Sequence, residues 1–159
     1  MDKKRIRKLL KWTVFFVYIA SLVYFMFFAE MLGRADAVST YRYNLVPFKE
    51  IKRFLNNCRH LGMEAVLANI AGNVIAFMPF GFCIPMITDH RRKFIGTAFG
   101  TLVLSLSIEL IQLVSKVGCC DVDDVILNTL GGILGYVAYV MFKLCRKAMR
   151  HRKNSKHRK

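Results

Sequence analysis

The run Asp121-Val122-Asp123-Asp124-Val125-Ile126-Leu127-Asn128-Thr129-Leu130-Gly131-Gly132 sets three carboxylates at the start of an apolar segment and a carboxamide one turn inside it. From residue 125 to residue 142 the segment holds no charge. A hydrocarbon core of ~30 Å needs roughly 20 helical residues, with about 17 to 25 tolerated. The segment therefore reads as a membrane span with an acidic mouth. Polar groups at that depth are costly, and they persist where they have a partner or a job.

Three further blocks of the same kind precede it. Residues 12–29 and 65–87 hold no charge, and residues 94–114 hold one, Glu109. The chain has 159 residues, 55% hydrophobic, so these four blocks make up most of its apolar content. None shows sustained strand-like alternation, and a closed barrel needs many more strands. Helices are then the economical way to satisfy the backbone in lipid. The expected fold is an all-α integral membrane bundle of four transmembrane helices with a short external amphipathic helix. Its parts are a basic N-terminus (1–11), the membrane domain (12–142) and a basic tail (143–159). The first block also has signal-peptide features, a basic start and Ala35-Asp36-Ala37. Signal cores run to about 7–15 residues, and this block is longer and packed with aromatics, so it reads as a retained span.

Orientation follows from charge. Residues 1–11, 88–93 and 143–159 hold 18 of the 25 Lys and Arg and only two acids, Asp2 and Asp89. The rest of the chain holds seven basic residues and eight acids. The positive-inside rule puts both termini and the middle turn in the cytoplasm of a multi-pass protein of the cell membrane. The tail abuts a span and has no interleaved aromatics. It reads as a topology determinant touching anionic headgroups rather than as a nucleic-acid arm. Blocks of like charge are usually disordered, so no structure is expected after about Met149.

The external loop contains Tyr41-Arg42-Tyr43-Asn44-Leu45-Val46-Pro47-Phe48, an extended stretch with a turn at Asn44. Pro47 is expected to open a short helix. Phe48, Ile51, Phe54 and Leu55 share one face of it, the pattern of a helix lying on the outer leaflet over the ends of the spans. Pro79 is expected to kink the second span near residues 76–78. Gly96 with Gly100, and Gly131 with Gly135, have the small-xxx-small spacing of close helix contacts. Cys58 could reach Cys119 or Cys120, but unpaired thiols are the simpler reading. No zinc spacing is present.

Polar residues of three spans share one depth. By the helical rise, Asn69 and Asn73 lie roughly 6 and 12 Å below the outer boundary, Glu109 about 8 Å and Asn128 about 5 Å. Gln112 is nearer the surface, and Ser105 lies one turn below Glu109. With Asn44, Asp121, Asp123 and Asp124 they form a polar layer, either a lock between helices or a ligand site. Interhelical hydrogen bonds in membranes contribute only ~0.6 to 2 kcal/mol each, so this many groups exceed what packing needs. The ligand-binding reading takes Asn44, Asn69, Asn73, Glu109, Gln112, Asp121, Asp123, Asp124 and Asn128. Carboxylates with carboxamides suit an ammonium, a sugar, an amide-rich ligand or a hard cation. No nucleophile–base pair, P-loop, dinucleotide fingerprint or HExxH is present, so no catalytic residue, cofactor or resident metal is assigned.

Four blocks in order carry a resemblance: Asn44 to Phe48; Asn69-Ile70-Ala71-Gly72-Asn73 with Phe77-Met78-Pro79-Phe80-Gly81; Ser107-Ile108-Glu109 with Gln112; and the acidic run from Asp121. Over residues 40–142 the chain resembles the VanZ-like membrane proteins. The resemblance implies a link to resistance against the glycopeptide teicoplanin, and it implies no reaction. It also marks Pro47, Phe48, Phe77, Pro79, Gly81 and Gly131 beside the polar residues. One departure is that many relatives carry an Arg where Cys119 follows Gly118. The expected role is binding a lipophilic, polar-headed ligand at the outer leaflet, a lipid-tailed glycopeptide or a cell-wall lipid, with membrane lipids as neighbours and no nucleic acid. The alternatives are a membrane enzyme acting on a lipid-linked cell-envelope substrate, and a small scaffold.

The charge split makes one outcome definite. Topology reporters fused after Lys159 and inserted at Arg91 should read cytoplasmic, and one inserted at Asn57 external. An external reading at the C-terminus would reverse every depth assigned above.

Overall fold

The computed structural model describes residues 2–32, 41–57, 63–88, 93–117 and 119–156. In order come α1 (Lys3–Leu32), β1 (Tyr43–Asn44), α2 (Lys49–Asn56), α3 (Met63–Ile87), α4 (Lys93–Ser115), β2 (Cys120–Asp121) and α5 (Val122–Lys156). Four helices, α1, α3, α4 and α5, are long and apolar enough to cross a membrane. Large apolar side chains stand exposed along all four, among them Phe16, Ile75, Phe99 and Val137. That is the surface a lipid-facing bundle presents, since lipid is as apolar as the side chains themselves.

Side-chain contacts fix the directions. Tyr18 Oη donates to the Ala76 carbonyl at 2.7 Å, and the Phe15 and Phe80 rings lie 5.9 Å apart. α1 and α3 thus run antiparallel. Asn128 Nδ2 donates to Ser105 Oγ at 2.9 Å, and the Phe94 and Tyr136 rings sit 5.4 Å apart, so α4 and α5 are antiparallel too. Asn73 meets Asp124 and Phe82 meets Tyr139, so α3 and α5 are parallel. One end of the bundle collects the starts of α3 and α5 with the acids. The other collects the starts of α1 and α4 and the long cationic end of α5. These are called the acidic and basic ends below.

α3 and α5 make the closest approach. A Cβ added at Gly131 would stand 2.2 Å from the Val74 carbonyl oxygen, and one at Gly135 2.0 Å from that of Met78. The spacing expected to mark close packing does so here. At Gly96 it does not: no atom lies within 4 Å of the Cβ position, and Gly100 meets only the Phe80 ring. The face that α4 buries is instead Thr97, Thr101 and Ser105, each fully enclosed. Thr97 and Thr101 donate their hydroxyls back to Lys93 and Thr97 carbonyls. Their polar atoms are thereby satisfied within the helix, and their small bodies let α5 come close.

α3 runs helical through Pro79 and Pro85 and ends at Ile87. Pro79 leaves the Ile75 carbonyl without its helical donor. The Tyr18 hydroxyl binds at the next carbonyl, Ala76, so α1 supplies a donor where α3 is weakest. Two other expectations are corrected. α2 begins at Lys49 with Phe48 as its N-cap residue, so Pro47 stands outside the helix. α5 continues to Lys156, past the limit expected at Met149. No Gly or Pro follows Gly135, and an already nucleated helix extends at low cost.

Gly135→Val should therefore lower folded protein in the membrane severalfold, because its side chain would enter the Met78 backbone. Gly96→Val should leave abundance unchanged. Quantitative blotting of membrane fractions checks both.

Candidate functional site

The acidic end is built around a parallel pairing of two two-residue strands. Tyr43 pairs with Cys120 and Asn44 with Asp121, and the Cys120 N–H donates to the Arg42 carbonyl at 3.1 Å. The turn expected at Asn44 is present, since Asn44 Oδ1 accepts the Val46 N–H at 3.3 Å. Asn44 Nδ2 in turn donates to Asp121 Oδ1 at 3.0 Å.

Asp121 is the residue before α5, and its Oδ1 also accepts the Asp123 N–H at 2.8 Å. This satisfies a first-turn donor that the helix cannot pair internally, the ordinary work of an N-cap. The Asp121 N–H donates to Glu109 Oε2 at 2.9 Å, which ties α4 to β2. Burial pushes the Asp121 carboxyl above the usual carboxylate range, against the pull of the Asp123 N–H and the Asn44 amide. Burial also raises the neighbouring Cys120 thiol, helped by the nearby Glu109 and Asp121 charges.

Asp123 points the other way, into the start of α2. Its Oδ1 accepts the Phe48 N–H, and its Oδ2 accepts the N–H groups of Glu50 at 2.8 Å and Ile51 at 3.1 Å. Phe48 sits at φ 63° and offers no side-chain cap of its own. A carboxylate 72 to 75 residues away in sequence does the capping instead. Asp123 is 1% exposed. Its charge lies in the positive field of two helix starts, α2 and its own α5.

Deeper in the bundle, Asn73 Nδ2 donates to Asp124 Oδ1 at 2.5 Å. Asn128 is wholly buried. Its Nδ2 reaches Ser105, while its Oδ1 and the Thr129 hydroxyl have no hydrogen-bond partner among the described residues. Gln112 is buried in the last turn of α4, with Nε2 3.5 Å from the Met26 carbonyl of α1.

The nine candidate residues thus divide into two sets. Asn44, Glu109, Gln112, Asp121, Asp123 and Asn128 are buried. Asn73 and Asp124 are half-buried and Asn69 is exposed one turn before Asn73 on α3. Asn69 is not brought into the hydrogen-bonded cluster. Thr129 was not singled out from the sequence, though it adjoins Asn128. Lys116 places Nζ 4.8 Å from the centre of the Tyr41 ring. Arg34, Cys58, His60, Asp89, Arg91 and Gly118 lie outside the described residues. Among the described residues no group of three or more His, Cys, Asp and Glu is arranged to hold a metal ion.

Over the acidic end stands an apolar fringe. Tyr41, Tyr43, Leu45, Val46, Phe48 and Leu55 are all more than half exposed. α2 packs on α3 and α5, the helices that carry Asn69, Asn73 and Asp124.

Comparison with known proteins agrees with the resemblance. The VanZ/LLP1 family matches residues 15–143. Protein VanZ of Enterococcus faecium is 30% identical over 128 residues, covering 77% of this chain and 69% of that protein. No solved structure gives a significant match. The chain belongs to the VanZ/LLP1 family and is a membrane protein of the VanZ type.

Asp123→Ala removes the cap of α2 at a cost of about 0.5–2 kcal/mol, the usual range for losing a capping side chain. Amide exchange across residues 49–56 should accelerate severalfold or more, while α3 and α4 stay protected. Unchanged exchange in α2 would show that the carboxylate does not hold it.

Proposed function

We propose that the protein binds, without transforming, a lipophilic ligand with a hydrogen-bonding head, at the acidic end facing the outside of the cell. The 18-to-7 split of basic residues supports an acidic end that faces outward. The observation that carries the reading is the exposed Asn69 with the half-buried Asn73 and Asp124, at the same end of the bundle as a fringe of exposed aromatic and aliphatic side chains. An amide or carboxylate line meets amide, hydroxyl and ammonium groups, and the fringe meets an acyl chain. A lipid-tailed glycopeptide such as teicoplanin has both parts, as does a lipid-linked cell-wall precursor. Resistance would follow if the protein held such an antibiotic, or its target, away from productive contact.

The buried six serve this site from behind. Glu109 holds β2 through the Asp121 N–H, and Asp123 holds α2. Both carboxylates are engaged in positioning, and the Ser105 hydroxyl accepts a hydrogen bond from the Asn128 carboxamide, which is not a base. This arrangement favours binding over catalysis.

In a susceptible Gram-positive host, the chain should raise tolerance to a lipid-tailed glycopeptide more than to an untailed one. Asn69→Ala with Asn73→Ala should remove at least half of that difference at unchanged membrane abundance. Glu109→Ala should lower abundance itself, because it unties β2. Equal tolerance to both glycopeptides, or turnover of a lipid-linked precursor by the purified protein, would sink the binding reading.

A further inference from the structure

The basic end carries a second site, independent of the first. A groove of about 690 Å³ opens between the start of α4 and the emerging part of α5. Lys93 of α4 lines one wall, and Tyr136, Tyr139, Lys143, Lys147 and Arg150 of α5 line the other. We propose that this groove holds one anionic phospholipid of the adjoining leaflet, its phosphodiester among the Lys93, Lys143 and Lys147 ammonium groups and an acyl chain against Tyr136 and Tyr139.

Depth gives the first argument. Counting from Val122, Tyr136 and Tyr139 lie about 21 and 26 Å along α5, and Lys143 about 32 Å. Against a hydrocarbon core of ~30 Å the tyrosines sit just inside it and Lys143 at the level of the phosphates. A free anion would have no reason to enter a groove whose floor lies in hydrocarbon. A lipid fits both levels at once.

Order in the floor gives the second. The Tyr136 ring packs edge-on to Phe94 at 5.4 Å, and Tyr139 edge-on to Phe82 at 5.9 Å. Lys93 Nζ donates to the Pro85 carbonyl at 3.1 Å, which fixes its ammonium at the groove edge. Two rings and one cation are thus held in place before any ligand arrives, which lowers the cost of binding.

Charge gives the third. Lys143, Arg146, Lys147 and Arg150 follow at spacings of three and four, so they share one helix face and repel one another. The chain has no Asp or Glu after Asp124. The countercharge for this face must come from outside α5, and an anionic headgroup has the sign to supply it.

Native mass spectrometry of the purified full chain tests this, using phosphatidylglycerol and phosphatidylcholine with identical acyl chains. The wild type should retain one phosphatidylglycerol in preference to phosphatidylcholine, and millimolar glycerol phosphate should not displace it. Lys143→Gln with Lys147→Gln should weaken that retention by roughly thirtyfold, at about fivefold per cation. Arg5→Gln with Lys8→Gln removes two cations from exposed positions of α1 at the same end and should change it little. Equal losses in the two double variants would mean diffuse attraction and overturn the site. So would a wild type with no preference for phosphatidylglycerol, or displacement by glycerol phosphate. If the glutamine variant loses helix content, the wild-type stoichiometry and competition decide the matter alone.

Discussion

The carboxylate of Asp123 is the point on which the acidic end depends. It belongs to the first turn of α5 yet receives three backbone N–H groups from the start of α2. Phe48 occupies the N-cap position of α2, and its side chain has no group with which to cap the helix. Remove the carboxylate and those N–H groups need another acceptor near lipid, where few are on offer. With it in place, α2 is anchored over the bundle and the strand pairing of β1 with β2 is drawn into register. Helix starts concentrate positive potential, so a buried acid shared by two of them is stabilised from both sides.

That arrangement explains why so many polar groups sit at one level. A bundle in lipid gains nothing from hydrophobic association between its helices, so it holds together by close packing and hydrogen bonds. The tight contact of α3 with α5 through Gly131 and Gly135 supplies the packing. The hydrogen bonds then do something packing cannot. They run from Glu109 through Asp121 and Asn44 to the loop, and from Asp123 to α2. They thereby give an irregular segment a fixed place over the membrane-spanning helices. Asn69 is exposed and Asn73 and Asp124 are half-buried, so the layer keeps part of its surface open at this end.

The spans were legible in the sequence because the signal is local: uncharged runs of the right length need no knowledge of partners. Depth was legible only coarsely: the helical rise set Asn73 about 12 Å below the boundary where Asp124 lies, yet the two are hydrogen-bonded. The partners were not legible. Gly96 and Gly131 begin identical spacings, yet only Gly131 meets another backbone, because which face a helix turns inward is decided by its neighbours. The pairing of Tyr43 and Asn44 with Cys120 and Asp121 joins segments of two residues each, far below the length at which alternation can be read. A trace of the Asp123 cap did exist. Phe48 stands where a capping side chain belongs, and a helix start without a cap must find its acceptor elsewhere.

The tail shows how a correct rule can mislead when applied to a segment alone. Cation runs repel and tend to disorder when free. Here the run is the continuation of a helix already nucleated in the bundle, and it occupies the end of α5 where the macrodipole is negative. Cations are favoured at that end, as the acids Asp123 and Asp124 are favoured at the start. α5 therefore carries opposite charge at its two ends in the sense its own dipole prefers. That helix contributes to the electrical asymmetry of the protein, with carboxylates where it begins beside α2 and α3 and cations where it leaves the bundle beside Lys93. A helix polarised in this way presents amide and acid groups to one leaflet and an anion-seeking groove to the other. Its two surfaces thus meet different chemistry without any change of fold between them.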